Sequence, residues 1–214
     1  STLSPSSAAS DVYKRQWIYR GILMILTNGQ TIAVRAYASE EILNSFVKFG
    51  SGSILGIPIP AYVFIVVALL LSFILKKTVF GRNIYFIGSN PDAAAMSGIN
   101  VPKVKFIAYI ITGMLGGLAG AMLAGRLVSM PTNGGNGYEF EGIFASVLGG
   151  ISMVGGEGGM LGAVVGAIIV ACIRNGLNLN GIDAFWQQVI LGIIIVMAVF
   201  YDTVRTKKAR NAKS

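Results

Sequence analysis

Long uncharged apolar runs alternate with short polar segments along this chain, and the runs have the length of membrane-crossing helices. Residues 58–75 are eighteen positions without a charge, close to the ~20 that a helix needs to cross a hydrocarbon core. Residues 105–125, charged only at Lys105, form a second such run. Residues 160–173, extended to about Leu179 through Arg174 and two Asn, predict a third helix with a polar outer end. Residues 185–201 predict the last. Between them, residues 142–154 give only thirteen uncharged positions, the length of a re-entrant or broken helix. Residues 17–27 are apolar but too short to cross, and read as the end of a helix whose beginning is missing. Asn28-Gly29 signals a turn after it. Residues 39–48 have the spacing of a short amphipathic helix, with Ser39 as cap and Ile42, Phe46 and Val47 on one face.

The polar segments carry an orientation signal. Residues 76–105 hold Lys76, Lys77, Arg82, Lys103 and Lys105 against Asp92, net +4, and residues 202–214 are also net +4. Residues 27–58 are net zero and residues 126–141 net −1. Excess Lys and Arg marks the cytoplasmic side. The 76–105 segment and the C-terminus are therefore expected in the cytoplasm, which requires an even number of passes between them. One full span, the short piece and two further spans supply four.

Within the 76–105 segment a short helix has both ends specified. Asn90 is suited to cap its start, Pro91 fits the first helical position, and Asp92 complements the positive end of the dipole. Ala93, Ala94 and Ala95 favour the helix and Gly98 the stop. A capped helix at a membrane surface is a handle for a soluble partner.

Composition narrows the chemistry. The 214 residues are 54% hydrophobic and 12% charged, against roughly 25% charged in soluble domains. The formal charge of +8 clusters at span ends, so it is read as membrane orientation rather than nucleic-acid binding. With no His and a single Cys, Cys172, there is no disulfide framework, no Cys/His metal site and no His-based catalytic pair. Cys172 lies in an apolar run and reads as a small packing residue. No G-x-x-x-x-G-K-[ST] loop is present, so the chain is not expected to hydrolyse ATP, and no catalytic residue or bound cofactor is expected. Residues 1–16 are polar and lack the order of a secretory signal; they read as non-native or disordered, with a native polar tail as the alternative.

Seventeen of the 28 Gly lie between Gly113 and Gly166, which points to close helix packing in that half. Gly113/Gly117, Gly116/Gly120 and the run Gly158, Gly162, Gly166 have the four-residue spacing that lets membrane helices approach. Gly149-Gly150 and Gly155-Gly156 flank the short piece and suit a break or tight turn. Tyr138, Glu139 and Glu141 precede that piece: the carboxylates either contact a polar solute at a pathway mouth or favour the following helix through its dipole. Asn175, Asn178 and Asn180 either line a polar path or mark a loop border. Arg126 and Arg174 are expected to snorkel to the outer interface.

The order Gly81-Arg82-Asn83-Ile84-Tyr85-x-Ile87-Gly88-x-Asn90-Pro91-x-Ala93-Ala94-x-x-Ser97-Gly98-Ile99-Asn100-Val101 resembles the cytoplasmic loop of permease subunits of bacterial ABC importers for simple sugars, the ribose/galactose/xylose group. Tyr138-Glu139-Phe140-Glu141-Gly142-Ile143, Val147 to Ser152, Gly155-Gly156-x-Gly158, Asn175-Gly176-Leu177-Asn178 and Trp186-Gln187 resemble the same family in order. The resemblance covers residues 17–201, with a basic tail at 202–214, and matches only the C-terminal portion of a permease.

It implies an all-α integral membrane fold: a polytopic helical bundle with a short re-entrant or broken helix and a cytoplasmic coupling helix, in the bacterial cytoplasmic membrane. It implies a second permease subunit, most simply a homodimer. ATPase subunits would consume the ATP, a periplasmic or lipid-anchored binding protein would deliver the sugar, and no nucleic acid would take part. Gly81, Arg82, Gly88, Asn90, Pro91, Asp92, Ala93, Ala94, Ser97 and Gly98 would serve ATPase coupling. Tyr138, Glu139, Glu141, Gly149, Gly150, Asn175 and Asn178 would lie on the translocation pathway. The related permeases for branched-chain amino acids are the alternative; a stand-alone channel or secondary carrier is the other class, and it gives the capped helix no role.

Overall fold

The computed structural model describes residues 5–36, 39–132, 134–153, 155–183, 185–187, 189–194 and 196–197, with side chains described from Gln16 onward. The chain divides into two compact units, Ser1–Tyr62 with Met114–Asn136, and Val63–Gly113 with Gly137–Ser214.

The first unit opens with α1, Pro5–Thr27. This helix runs without interruption across residue 16, where the sequence reading placed a boundary. Its end is the expected turn: Asn28 and Gly29 both have positive φ, and Gly29 N–H donates to Met24 O at 2.9 Å. A two-residue strand β1, Ile32–Ala33, follows. Helix α2, Glu40–Ser51, matches the expected amphipathic helix, but its buried face is led by Leu43 and ends at Gly50, while Ile42 is 64% exposed. Ser39 stands at the N-cap position without a side-chain cap bond. Strands β2, Ser53–Ile54, and β3, Ile57–Pro58, pair as a hairpin across Leu55 and Gly56, both with positive φ. Such a primed turn matches the twist of its strands.

Helix α3, Ile59–Lys77, leaves this unit for the second. At 1.5 Å per residue its 19 residues reach about 28 Å, the thickness of a hydrocarbon core. Two shorter helices follow: α4, Val79–Ser89, and α5, Pro91–Met96. Helix α6, Val101–Leu127, has 27 residues and returns to the first unit. There β4, Ser129–Met130, pairs antiparallel with β1. Gly50 of α2 packs directly on the backbone of α6 at Gly125 and Arg126, where any Cβ would collide. Arg20 donates to Asn136 Oδ1 at 2.7 Å in the same unit.

In the second unit, α7, Tyr138–Leu148, is only 11 residues long. An irregular segment carries the chain to α8, Met160–Leu179. The pair is an antiparallel hairpin in which Gly162 and Gly166 pack as their spacing predicts; Gly158 lies in the connecting segment, and a Cβ on Gly113, Gly116, Gly117 or Gly120 of α6 would meet no neighbour within 4 Å. Gly149 meets Gly162, and Gly166 meets Ala145, so closely that no side chain fits between the backbones. Gly150, Gly155, Gly156 and Gly158 all have positive φ in the connecting segment, a conformation that glycine adopts without strain. The expected break after the short piece is therefore present.

Among the described residues, three helices (α3, α6 and α8) are long and apolar enough to cross a membrane. The last expected span is helical at residues 185–187, 189–194 and 196–197; its remainder and the 202–214 tail lie outside the described residues. The architecture is that of a polytopic helical membrane protein; among the described residues every strand is two residues long.

Candidate functional site

The basic segment folds as a helical module rather than as a loop with one helix in it. Thr78 caps α4, its Oγ1 accepting from Gly81 N–H at 3.1 Å. Gly81 lies so close to the carbonyls of Ile74 and Leu75 that a Cβ would collide, which lets the chain turn sharply from α3 into α4. Phe80, Ile84 and Ile87 recur at helical spacing and face inward, with Ile87, Ala94 and Val104 buried at the centre. That period and the Thr78 cap were the local signals for α4, which sequence reasoning passed over.

Helix α5 has the ends expected of it. Asn90 Oδ1 accepts from the N–H groups of Asp92 and Ala93, each at 3.0 Å, and Pro91 occupies the first helical position. At the other end Gly98 N–H donates to Ala95 O and Ile99 N–H to Ala94 O, with Gly98 at φ +80. This is the glycine-terminated double bond of a Schellman stop.

The structure sorts the ten expected coupling residues. Ala94 is fully buried and Gly81 is buried, so both pack the module. Gly88 is a joint, described below. Arg82, Asn90, Pro91, Asp92, Ser97 and Gly98 are exposed, with Ala93 partly so. Met96, which the sequence reading left out, is 84% exposed at the end of α5. Lys76, Lys77, Arg82, Lys103 and Lys105 are all exposed around this module.

Gly88 joins α4 to the segment between α7 and α8. A Cβ on Gly88 would lie 2.5 Å from Gly156 N, and one on Gly155 would lie 2.6 Å from Gly88 O. Tyr85 adds a hydrogen bond from its hydroxyl to Gly158 O at 2.9 Å. Backbone thus rests on backbone, and the α7–α8 turn lies on the same side as the basic module.

The opposite end of the α7–α8 hairpin is polar. Glu141 of α7 forms an ion pair with Arg174 of α8 at 2.5 Å. Arg174 therefore has a carboxylate partner that the sequence reading did not foresee. Glu141 lies in the first turn of α7, but the N-cap position is Gly137 and makes no side-chain cap bond. Next to the pair, Asn175 and Asn178 line a cavity of about 430 Å³ with them. The apolar wall is small-residue: Gly142, Ala145, Ala167, Val170 and Ala171. Asn178 Oδ1 accepts from Gln187 Nε2 at 2.7 Å, and the same Nε2 donates to Ile182 O at 2.8 Å. Gln187 is the one buried polar side chain among the described residues, at 5% exposure.

Of the seven expected pathway residues, the structure brings Glu141, Asn175 and Asn178 to this cavity and adds Arg174. Tyr138 and Glu139 stand in the first turn of α7 outside the lining. Gly149 and Gly150 lie at the far end, where Gly149 packs the hairpin and Gly150 turns the chain. Cys172 is exposed on α8 rather than packed, and no metal-binding cluster occurs among the described residues.

Membrane-length helices and a helical surface module define a polytopic membrane protein. Residues 15–199 match the family described as the branched-chain amino acid transport system permease component, and the chain belongs to that family. It is 41% identical over 185 residues to the ribose import permease protein RbsC of Bacillus subtilis, covering 86% of this chain and 56% of that protein. It is 43% identical over 153 residues to the xylose transport system permease protein XylH of Haemophilus influenzae, covering 72% and 41%. The L-arabinose ABC transporter permease protein AraH of Azospirillum brasilense is 35% identical over 196 residues, covering 92% and 56%. The chain thus spans about half the length of the curated relatives it matches. No solved structure matches it. The family is one of transport permeases, not of enzymes.

Proposed function

We propose that this chain is the permease part of an ATP-driven importer for a monosaccharide of the ribose, xylose or arabinose kind. The observation that carries this reading is the capped α5 helix, built to stand on a basic surface and joined through Gly88 to the turn of the α7–α8 hairpin. The relatives named for ribose, xylose and arabinose favour sugar over a branched-chain amino acid as cargo. In this reading separate ATPase subunits dock on α5 from the cytoplasm, a binding protein delivers the sugar, and two permease subunits form the pathway. The C-terminus shares the cytoplasmic side with α5. Movement of α5 on ATP binding passes through Gly88 and Tyr85 to the hairpin, whose other end holds the polar cavity. A bistable membrane element biased by a partner is the usual form of such a switch.

Co-purification tests the coupling step. The permease is expressed with its ATPase, unaltered or carrying Asp92→Lys or Met96→Glu, both at exposed positions of α5. The unaltered chain is expected to retain the ATPase and both variants to lose it while inserting normally in the membrane. Failure of the unaltered chain to hold any ATPase favours a stand-alone carrier instead.

A further inference from the structure

We infer that the cavity at the polar end of the α7–α8 hairpin is a binding station for one polyhydroxylated small molecule, gripped by Glu141, Arg174, Asn175 and Asn178. This rests on the sugar-importer reading and deepens it, because it places a recognition step inside the permease itself.

The chemistry of the lining is that of a polyol site. A carboxylate only accepts hydrogen bonds, a guanidinium only donates, and a carboxamide does both. Neighbouring hydroxyls of a sugar each donate and accept, so the four side chains match a diol edge on two sides. The Gln187 bond occupies Asn178 Oδ1, which fixes that carboxamide and leaves Nδ2 to donate. The remaining wall, Ala145, Ala167 and Ala171, is low and apolar and suits the C–H face of a sugar ring. About 430 Å³ falls within the ~300–1,000 Å³ of small-molecule pockets.

The Glu141–Arg174 pair gives the site an empty state. Charges within a membrane protein are costly unless paired. At 2.5 Å the two side chains satisfy one another when no ligand is present. An entering diol trades hydrogen bonds with a pair already made, so binding is weak and release is easy, as passage requires. A neutral cavity lined by the same alanines would lack this exchange. A zwitterionic amino acid also offers partners to a carboxylate and a guanidinium, so leucine is the control that separates the two cargoes.

Trp186 precedes Gln187 and supplies a reporter, since the chain holds only two Trp. The chain is placed in lipid nanodiscs with Trp17→Phe, and emission is followed during titration with ribose, xylose and leucine. A saturable response to a pentose in the millimolar range, absent with leucine, is expected. Glu141→Gln and Asn175→Ala should each weaken it at least tenfold, while Gly113→Ala leaves it unchanged; helix content by circular dichroism checks folding in each. Absence of a saturable pentose response in the Trp17→Phe chain overturns the inference, as does a response in both cavity variants equal to that of the Trp17→Phe parent. Uptake by the unaltered importer, measured separately, keeps the two ideas apart. Sugar uptake with an unresponsive cavity removes the binding station alone; no uptake removes the importer reading.

Discussion

Removing the Asn90 side chain is expected to loosen α5 specifically. A helix of six residues cannot persist on propensity, because nucleation is unfavourable and isolated helices need ~12–15 residues. It stands here on its two caps and on the burial of Ala94. Asn90 alone satisfies two N–H groups, those of Asp92 and Ala93, both at 3.0 Å. Replacing an N-cap of this kind by Ala costs about 1 kcal/mol. With tenfold per 1.4 kcal/mol, Asn90→Ala should raise local opening about fivefold. The assay is amide hydrogen exchange in detergent or nanodiscs, read at the amides of Ala94 and Ser97, which donate to Asn90 O and Ala93 O. Both should exchange about fivefold faster, with α3 and α8 unchanged. Asn90→Asp keeps an acceptor at the cap and should exchange nearly as the parent does. Unchanged exchange in Asn90→Ala, or equal acceleration in Asn90→Asp, would refute the capping argument.

Other outcomes follow from the same geometry. Ala94→Leu forces a larger side chain into a fully buried position and should lower stability by about 1–3 kcal/mol, whereas Met96→Ser at an exposed position should change it by less than about 0.5 kcal/mol; thermal unfolding in detergent compares them. Gly166→Leu should separate α7 from α8, since its side chain would meet Ala145 O directly. Gly113→Ala, with open space at the Cβ position, should be tolerated; faster proteolysis near Gly149–Gly150 in the first variant alone is the check. Tyr85→Phe removes the bond to Gly158 O and should weaken the joint by about 1 kcal/mol, seen as faster exchange in residues 155–159 with α5 unaffected.

What was legible in the sequence was local. Asn90, Pro91, the alanines and Gly98 lie within nine consecutive residues and specify α5 without help from the fold. The three uncharged runs became α3, α6 and α8 because length in a membrane is set by the bilayer. Helix α4 was hidden by the charges around it, which made the segment read as a loop although Phe80, Ile84 and Ile87 carry a helical period. Leu43 displaced Ile42 from the buried face of α2 because the contact at Gly50 and Gly125 sets how that helix is rotated.

The contacts between distant segments were not legible for a different reason. Glu141 and Arg174 are brought together by the crossing of Gly149 on Gly162 and of Ala145 on Gly166. Tyr85 and Gly158 are 73 positions apart and meet only because the α7–α8 turn lies on α4. Charge counting gave residues 76–105 a side of the membrane but could not pair their residues. Arg174 illustrates the limit: an Arg near a span end reads as a snorkelling side chain, and only the register of two helices reveals its carboxylate.

The most direct test of the central claim is uptake of labelled ribose and xylose into proteoliposomes holding the permease with its ATPase, with the binding protein outside and ATP supplied to the ATPase side. The account predicts pentose accumulation that requires ATP and the binding protein, and that falls to background with Met96→Glu. Accumulation without ATP, or accumulation of leucine and not of pentose, would contradict it.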